Sequence, residues 1–225
     1  YSKSTKPWTV SQNREKQTEL IPNNIIQIIE KGEFEDDGGM LITGLDFFAD
    51  DCKIEVSLNS GDEEVPNQLW EIQIENIREE RICYEWFYDI QILLKHKLLE
   101  PYLEINKELY IKSKPRSPDE LLKDLYIHHR NTFGKYREIE KFFNTEKKLN
   151  ELCEMEFGLF AKGPETYLKE YKSILEKQET KPYMYGTFKS KKWTGEKWIE
   201  ENPNLKLLLM GESFFIADEF RFERI

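Results

Sequence analysis

Cysteine is scarce in this chain, histidine is equally so, and no apolar run is long. The three cysteines, Cys52, Cys83 and Cys153, are widely spaced with no CxxC pair. An odd number without paired spacing argues against a disulfide framework, and buried thiols in a reducing cytosol are expected. The longest apolar stretches, Ile90 to Leu94 and Leu205 to Met210, are strand-sized. They fall far short of the roughly 18 residues that span a bilayer, so no membrane partner is expected. GxGxxG, GxxxxGK[ST], GxSxG and the spacing of an EF-hand loop are all missing. Their absence removes the usual signals of a phosphate-binding loop, a serine nucleophile and a calcium cage, and no cofactor or metal is expected. The chain begins at Tyr1 rather than Met, which leaves a leader ahead of it an open matter.

The three histidines offer little chemistry. His128 and His129 are adjacent, so on a helix they point about 100° apart and do not grip one ion together. Asp124 has helical spacing to His128, but a metal site there needs a third ligand from elsewhere. His96 falls on the apolar face of a strand-like pattern and reads as a satisfied core or edge histidine.

Acid of one region dominates what is present. Residues 30–90 carry 18 acidic and 4 basic side chains, a net of −14, whereas the remainder of the chain sums to +4. The whole protein has 225 residues, a net charge of −10, 39% hydrophobic residues and 13% aromatics. Aromatics spread along the chain argue for a packed core and a strongly solvated surface, not for disorder.

Periodicity predicts the elements. Asn23 or Asn24 caps a short helix through Ile25, Ile26, Ile28 and Ile29, ended by Gly32, and the Asp36–Gly39 run is turn chemistry. Cys52, Ile54, Val56 and Leu58 alternate as one face of a half-buried strand. Further strand sets are Trp70, Ile72 and Ile74; Ile82, Tyr84, Trp86 and Tyr88; Ile90 through Leu98; and a short one at Leu109 and Ile111. Ser117, Pro118 and Glu120 form a capping-box start for a helix whose stripe is Leu121, Leu125, His128 and Thr132, stopped at Gly134. Helical turns follow at Tyr136–Phe143 and after Thr145. A strand at Phe157–Ala161 then turns at Gly163–Pro164 into a helix carrying Tyr167, Leu168, Tyr171, Ile174 and Leu175. The tail reads as strands at Tyr183–Phe188, Trp193–Ile199, Leu205–Met210 and Phe214–Phe222, with hairpin turns at Thr194–Glu196 and Met210–Ser213.

The expected fold is therefore α+β, mainly antiparallel sheet with about three to five helices, possibly as two subdomains in one globule. The expected organisation is an N-terminal arm over 1–20 anchored by Trp8, an acidic strand-rich half over 21–115, and helices followed by strands over 116–225.

Two functional readings follow. The first is a non-catalytic interaction protein that binds and occludes a basic protein, in the manner of an inhibitor or toxin-immunity protein. Its surface would be Asp36, Asp37, Asp50, Asp51, Asp62, Glu63, Glu64, Glu79 and Glu80 with the aromatics Trp70, Tyr84 and Trp86. The alternative is an enzyme with a carboxylate-lined pocket, a hydrolase of a sugar or cationic substrate, drawing on Glu85, Asp89, Glu100 and Glu104. Lys189–Trp193 is basic beside an aromatic, but the acidic block repels a nucleic-acid backbone, so no direct nucleic-acid partner is expected.

Overall fold

In a computed structural model of the chain, residues 20–31, 34, 38–61 and 66–225 are described. The arm with Trp8, together with Gly32, Asp36, Asp37, Asp62, Glu63 and Glu64, lies outside them. The described residues form an α+β protein of antiparallel sheets, and the chain divides into two compact units, Tyr1–Leu94 with Lys206–Ile225, and Lys95–Leu205. This partition differs from a break at 115/116. The last three strands pair with strands of the first half, a non-local pairing that periodicity does not report.

In the first unit, helix α1 (Asn23–Lys31) precedes strands β1 (Gly39–Phe48), β2 (Asp51–Asn59), β3 (Gln68–Glu75), β4 (Glu79–Arg81) and β5 (Ile90–Leu93). Three more strands close the chain: β11 (Lys206–Met210), β12 (Ser213–Ala217) and β13 (Glu219–Arg224). They make two four-stranded sheets, β1-β2-β3-β13 and β4-β12-β11-β5. One core joins both, built largely of aliphatic residues such as Ile25, Ile42, Ile54, Val56, Ile72, Ile74, Ile92 and Leu208. The alternation read in Cys52–Leu58 and Trp70–Ile74 holds: these residues are buried and their neighbours face outward.

The two sheets are joined at a corner where the chain passes from β3 to β4. Asn76 adopts a left-handed φ of 57°, and its N–H donates to Asp51 Oδ1 (2.9 Å) while Asp50 O accepts from Ile77 N–H (2.7 Å). An asparagine tolerates that conformation better than a branched residue does.

Two strand readings are corrected. Residues 82–88 are not a strand, and the buried residue there is Phe87, not Tyr84, Trp86 or Tyr88. Phe87 forms a single antiparallel bridge with Met40, exchanging both backbone hydrogen bonds (2.8 and 2.9 Å). The run from Ile90 stops at Leu93, leaving His96 in a turn. Strand β1 escapes the period-two pattern because a bulge at Thr43 shifts the register between Ile42 and Gly44. Met40 and Ile42 face the core before the bulge and Leu45 after it, so the apolar parity switches in mid-strand.

The second unit holds helix α2 (Glu100–Leu103), strand β6 (Asn106–Ile111), helix α3 (Pro118–Phe133), a 3₁₀ turn (Ile139–Phe142), helix α4 (Leu149–Glu154), strand β7 (Gly158–Pro164), helix α5 (Glu165–Lys177), and strands β8 (Tyr183–Phe188), β9 (Lys191–Trp193) and β10 (Trp198–Glu200). A three-stranded sheet, β7-β6-β8, packs against α5, and β9–β10 is a separate hairpin. Trp193 and Trp198 face each other across that hairpin at 5.4 Å and both stay exposed.

Helix α3 begins at Pro118 after Ser117 as expected, but no capping box forms. Ser117 N–H donates to Gln178 Oε1 (3.1 Å) and Arg116 N–H to Gln178 O (3.0 Å), which tie the start of α3 to the end of α5. The buried stripe is Leu121, Leu125, His129 and Phe133, so His128 and Thr132 lie beside it. Helix α4 starts after Lys148, not Thr145, with Lys148 N–H donating to Glu151 Oε2 (3.2 Å).

Candidate docking surface

The first unit's sheet β1-β2-β3-β13 turns one face to the core and the other outward, and the pairing register sorts its side chains. Seven acids occupy the outward positions: Asp46 on β1, Asp51 and Glu55 on β2, Glu71 and Glu75 on β3, and Glu219 and Glu223 on β13. Lys53 and Arg221 offset them on that face, and Lys206 of β11 reaches Glu219 with its Nζ (2.8 Å). Lys53 Nζ meets Glu71 Oε1 at 3.0 Å, and Arg221 meets Glu75 at 2.9 Å. A hydrogen bond from Gln73 Nε2 (2.8 Å), with Lys53 second, holds the Glu71 carboxyl below its ordinary range, so it is ionised at neutral pH.

Three carboxylate pairs stand directly opposite each other across this sheet: Glu55 with Glu71, Glu71 with Glu223, and Glu75 with Glu219. Like charges in directly opposed positions repel, whereas opposite charges there attract. Each pair includes at least one glutamate held in an ion pair: Glu71 with Lys53, Glu75 with Arg221 and Glu219 with Lys206.

Aromatic rings lie at both ends of this sheet. Because Phe87 and Met40 both face the core, their neighbours Trp86 and Tyr88 project to the outward side, where they are 50% and 56% exposed. A Cβ on Gly39 would lie 2.9 Å from Trp86 and 3.1 Å from Tyr88, and Gly39 itself has φ 149°. Glycine thus does two jobs there: it takes a backbone angle other residues avoid and makes room for two rings. At the far end, Phe47 and Phe48 are exposed beside the turn that carries Asp50 and Asp51.

The structure sorts the twelve residues expected at the interface. Asp51 lies on the acidic face and also holds the Asn76 corner, with Asp50 beside it. Trp86 borders the face, and Tyr84 is 68% exposed in the loop before it. Glu79 and Glu80 belong to β4 in the other sheet, not to this face. Trp70 is corrected to a core residue: it is 5% exposed and its indole N–H donates to Gln68 Oε1 (3.1 Å). Asp36, Asp37, Asp62, Glu63 and Glu64 fall outside the described residues. Sequence reasoning missed Glu219 and Glu223 because they lie far from the acidic block in the chain. The alternation Glu219–Phe220–Arg221–Phe222–Glu223 was the available signal.

Other candidate chemistry resolves into structure. His129 is buried; its Nε2 donates to Arg137 O (2.7 Å), because a carbonyl only accepts, so Nδ1 accepts from the Tyr167 hydroxyl (2.8 Å). Tyr167 is in turn hydrogen-bonded to Tyr171. His96 Nδ1 accepts from Leu98 N–H (3.2 Å). No three His, Cys, Asp or Glu side chains among the described residues converge as metal ligands, His128 and Asp124 included. Cys52 and Cys153 are free, and burial pushes both thiols up to about 11, which leaves them unreactive. Glu100 is paired with Lys97 (2.7 Å), and the Thr166 hydroxyl bonds to Glu104 (2.9 Å). A cavity of about 230 Å³ in the second unit is lined by Arg137, Lys141 and Lys162 and by no carboxylate among the described residues. No helix among the described residues is long and apolar enough to cross a membrane. No family model, curated protein or solved structure matches the chain.

Proposed function

We propose that the chain is an interaction protein that docks a basic protein onto the outward face of β1-β2-β3-β13 and occludes it stoichiometrically, as inhibitors and immunity proteins do. The carrying observation is the set of three directly opposed glutamate pairs on a face where seven acids meet three bases, Lys53, Arg221 and Lys206. Cationic side chains from a partner would relieve that repulsion on binding, so a feature that costs stability in the free protein becomes affinity in the complex. Trp86 and Tyr88 supply the large, stiff contact area typical of hot spots next to the charges. Free thiols at Cys52, Cys83 and Cys153 suit a cytoplasmic setting. The carboxylate-pocket reading gains nothing from a cavity lined by cations.

The test compares the native protein with a Glu55→Gln/Glu223→Gln variant as paired baits at low salt, then titrates each against the recovered partner. These changes relieve both repulsions on Glu71 and leave its Lys53 pair intact. The expected outcome is a basic partner whose affinity falls steeply with salt and drops about tenfold or more in the variant. Equal affinity of the two baits, or an acidic partner insensitive to salt, rejects the proposal.

A further inference from the structure

We propose that the cavity of the second unit is a binding site for a small aromatic anion, a planar ring bearing a phosphate or carboxylate group. This site is separate from the acidic face and would take ligands of the opposite charge. Its volume of about 230 Å³ lies just under the usual lower end of small-molecule pockets, roughly 300 Å³, which fits a single substituted ring and excludes a dinucleotide.

Three cations reach the cavity from different parts of the fold: Arg137 from the segment after α3, Lys141 from the 3₁₀ turn, and Lys162 from β7. Arg137 is 4% exposed and held in place from several sides. Its Nη2 donates to Leu98 O (3.3 Å), its guanidinium lies 5.6 Å from both the Phe133 and Phe142 ring centres, and its own carbonyl accepts from His129. A planar, preorganised guanidinium is suited to a carboxylate or phosphate because its donors form a fixed fork. Lys162 Nζ sits 4.6 Å over the Phe188 ring and 3.4 Å from Glu108, a carboxylate outside the lining that also accepts from the Tyr110 hydroxyl (3.0 Å).

The walls between these charges are aromatic. Phe142 and Phe188 line the cavity, and Phe142 takes its seat only because Gly163 lacks a Cβ, which would lie 2.7 Å from its ring. Asn106 is buried in the lining with its amide group donating to Pro101 O (2.9 Å) and Glu104 O (3.3 Å), so it braces the wall. Arg137, buried between apolar rings, exerts a stronger pull on an anion than a charge on open surface, while the exposed Lys141 and Lys162 add their charge at the rim.

The probes are phenyl phosphate, benzoate, inorganic phosphate and benzylamine, titrated calorimetrically into the full chain at low salt. Phenyl phosphate or benzoate is expected to saturate, at least tenfold tighter than inorganic phosphate, with no binding by benzylamine. The arms of phosphate and carboxylate tell which headgroup the site prefers. Lys141 is exposed, so Lys141→Glu leaves the fold intact, a point checked by circular dichroism, and is expected to weaken the aromatic anion about tenfold or more. Equal binding of benzylamine and phenyl phosphate, inorganic phosphate binding as tightly as phenyl phosphate, or an unaffected Lys141→Glu variant each overturns the assignment.

Discussion

The two units are nearly equal in length, 114 and 111 residues, yet they are built from different chemistry. The first carries 11 basic and 24 acidic residues, a net of −13, and the second 22 and 19, a net of +3. The first packs aliphatic side chains between two sheets. The second packs rings: Phe133, Phe142, Phe143, Phe160, Tyr167 and Tyr171 form a chain of stacked and edge-on contacts around His129. All three histidines belong to the second unit. The overall charge of −10 therefore averages two regions of opposite sign, and a single pI hides the contrast between an acidic sheet face in one unit and a cation-lined cavity in the other.

The core difference is sharpened by truncation. Phe160 is fully buried on β7 and meets Phe143 edge-on at 5.4 Å. Phe160→Ala is expected to cost about 3–5 kcal/mol, and Ile72→Val in the aliphatic core about 0.5–1.5 kcal/mol, both read from urea denaturation midpoints. Equal losses would mean the ring cluster relaxes around its cavity and is no more tightly interlocked than the aliphatic core.

The histidine asymmetry predicts an acid-sensitive second unit. Burial comes first among the causes that push His96, His128 and His129 below the ordinary imidazole value of 6.5, because a charged ring is poorly solvated there. The unfolded chain then takes up these protons at a higher pH than the folded one. Stability is whole above about pH 6.5 and falls as pH drops below it, by up to about 1.4 kcal/mol per pH unit for each histidine held neutral. The first unit has no histidine to add to this slope. Chemical denaturation at pH 8, 6 and 5 checks it, and His129→Phe is expected to flatten the dependence. The same variant loses the donor to Arg137 O and costs about 1–3 kcal/mol at pH 8. An unchanged pH profile in that variant would remove His129 from the account.

Much of this was legible in the sequence, and the failures have local causes. Clean alternation at Cys52–Leu58 and Trp70–Ile74 and the apolar spacing of α1 and α5 gave real elements, because each has one face buried along its whole length. Trp86 and Tyr88 misled because large rings read as core, while Phe87 between them does the burying. The stripe of α3 was read through His128 and Thr132, whereas burial continues at steps of four from Leu125 through His129 to Phe133. His129 is tolerated inside because both ring nitrogens find partners outside its helix, Arg137 O and the Tyr167 hydroxyl. The acidic face was partly legible: the block supplied Asp46, Asp51, Glu55, Glu71 and Glu75, but β13 brings Glu219 and Glu223 across about 150 residues of chain, which no local pattern records.

The smallest effect bears most directly on the acidic face. Glu223 stands opposite Glu71 on adjacent strands, so Glu223→Lys converts a repulsive pair into an attractive one. The expected outcome is a small rise in stability at low salt, shrinking as salt screens the exposed charges. If the substitution stabilises the free protein and weakens its capture of a basic partner, the glutamate is retained at the expense of fold stability, which is the pattern of a binding surface. If it leaves stability unchanged, the opposed carboxylates are far enough apart in water to ignore each other. The acidic face then differs from the rest of the surface only in its sign, and the contrast between the two units narrows to their cores.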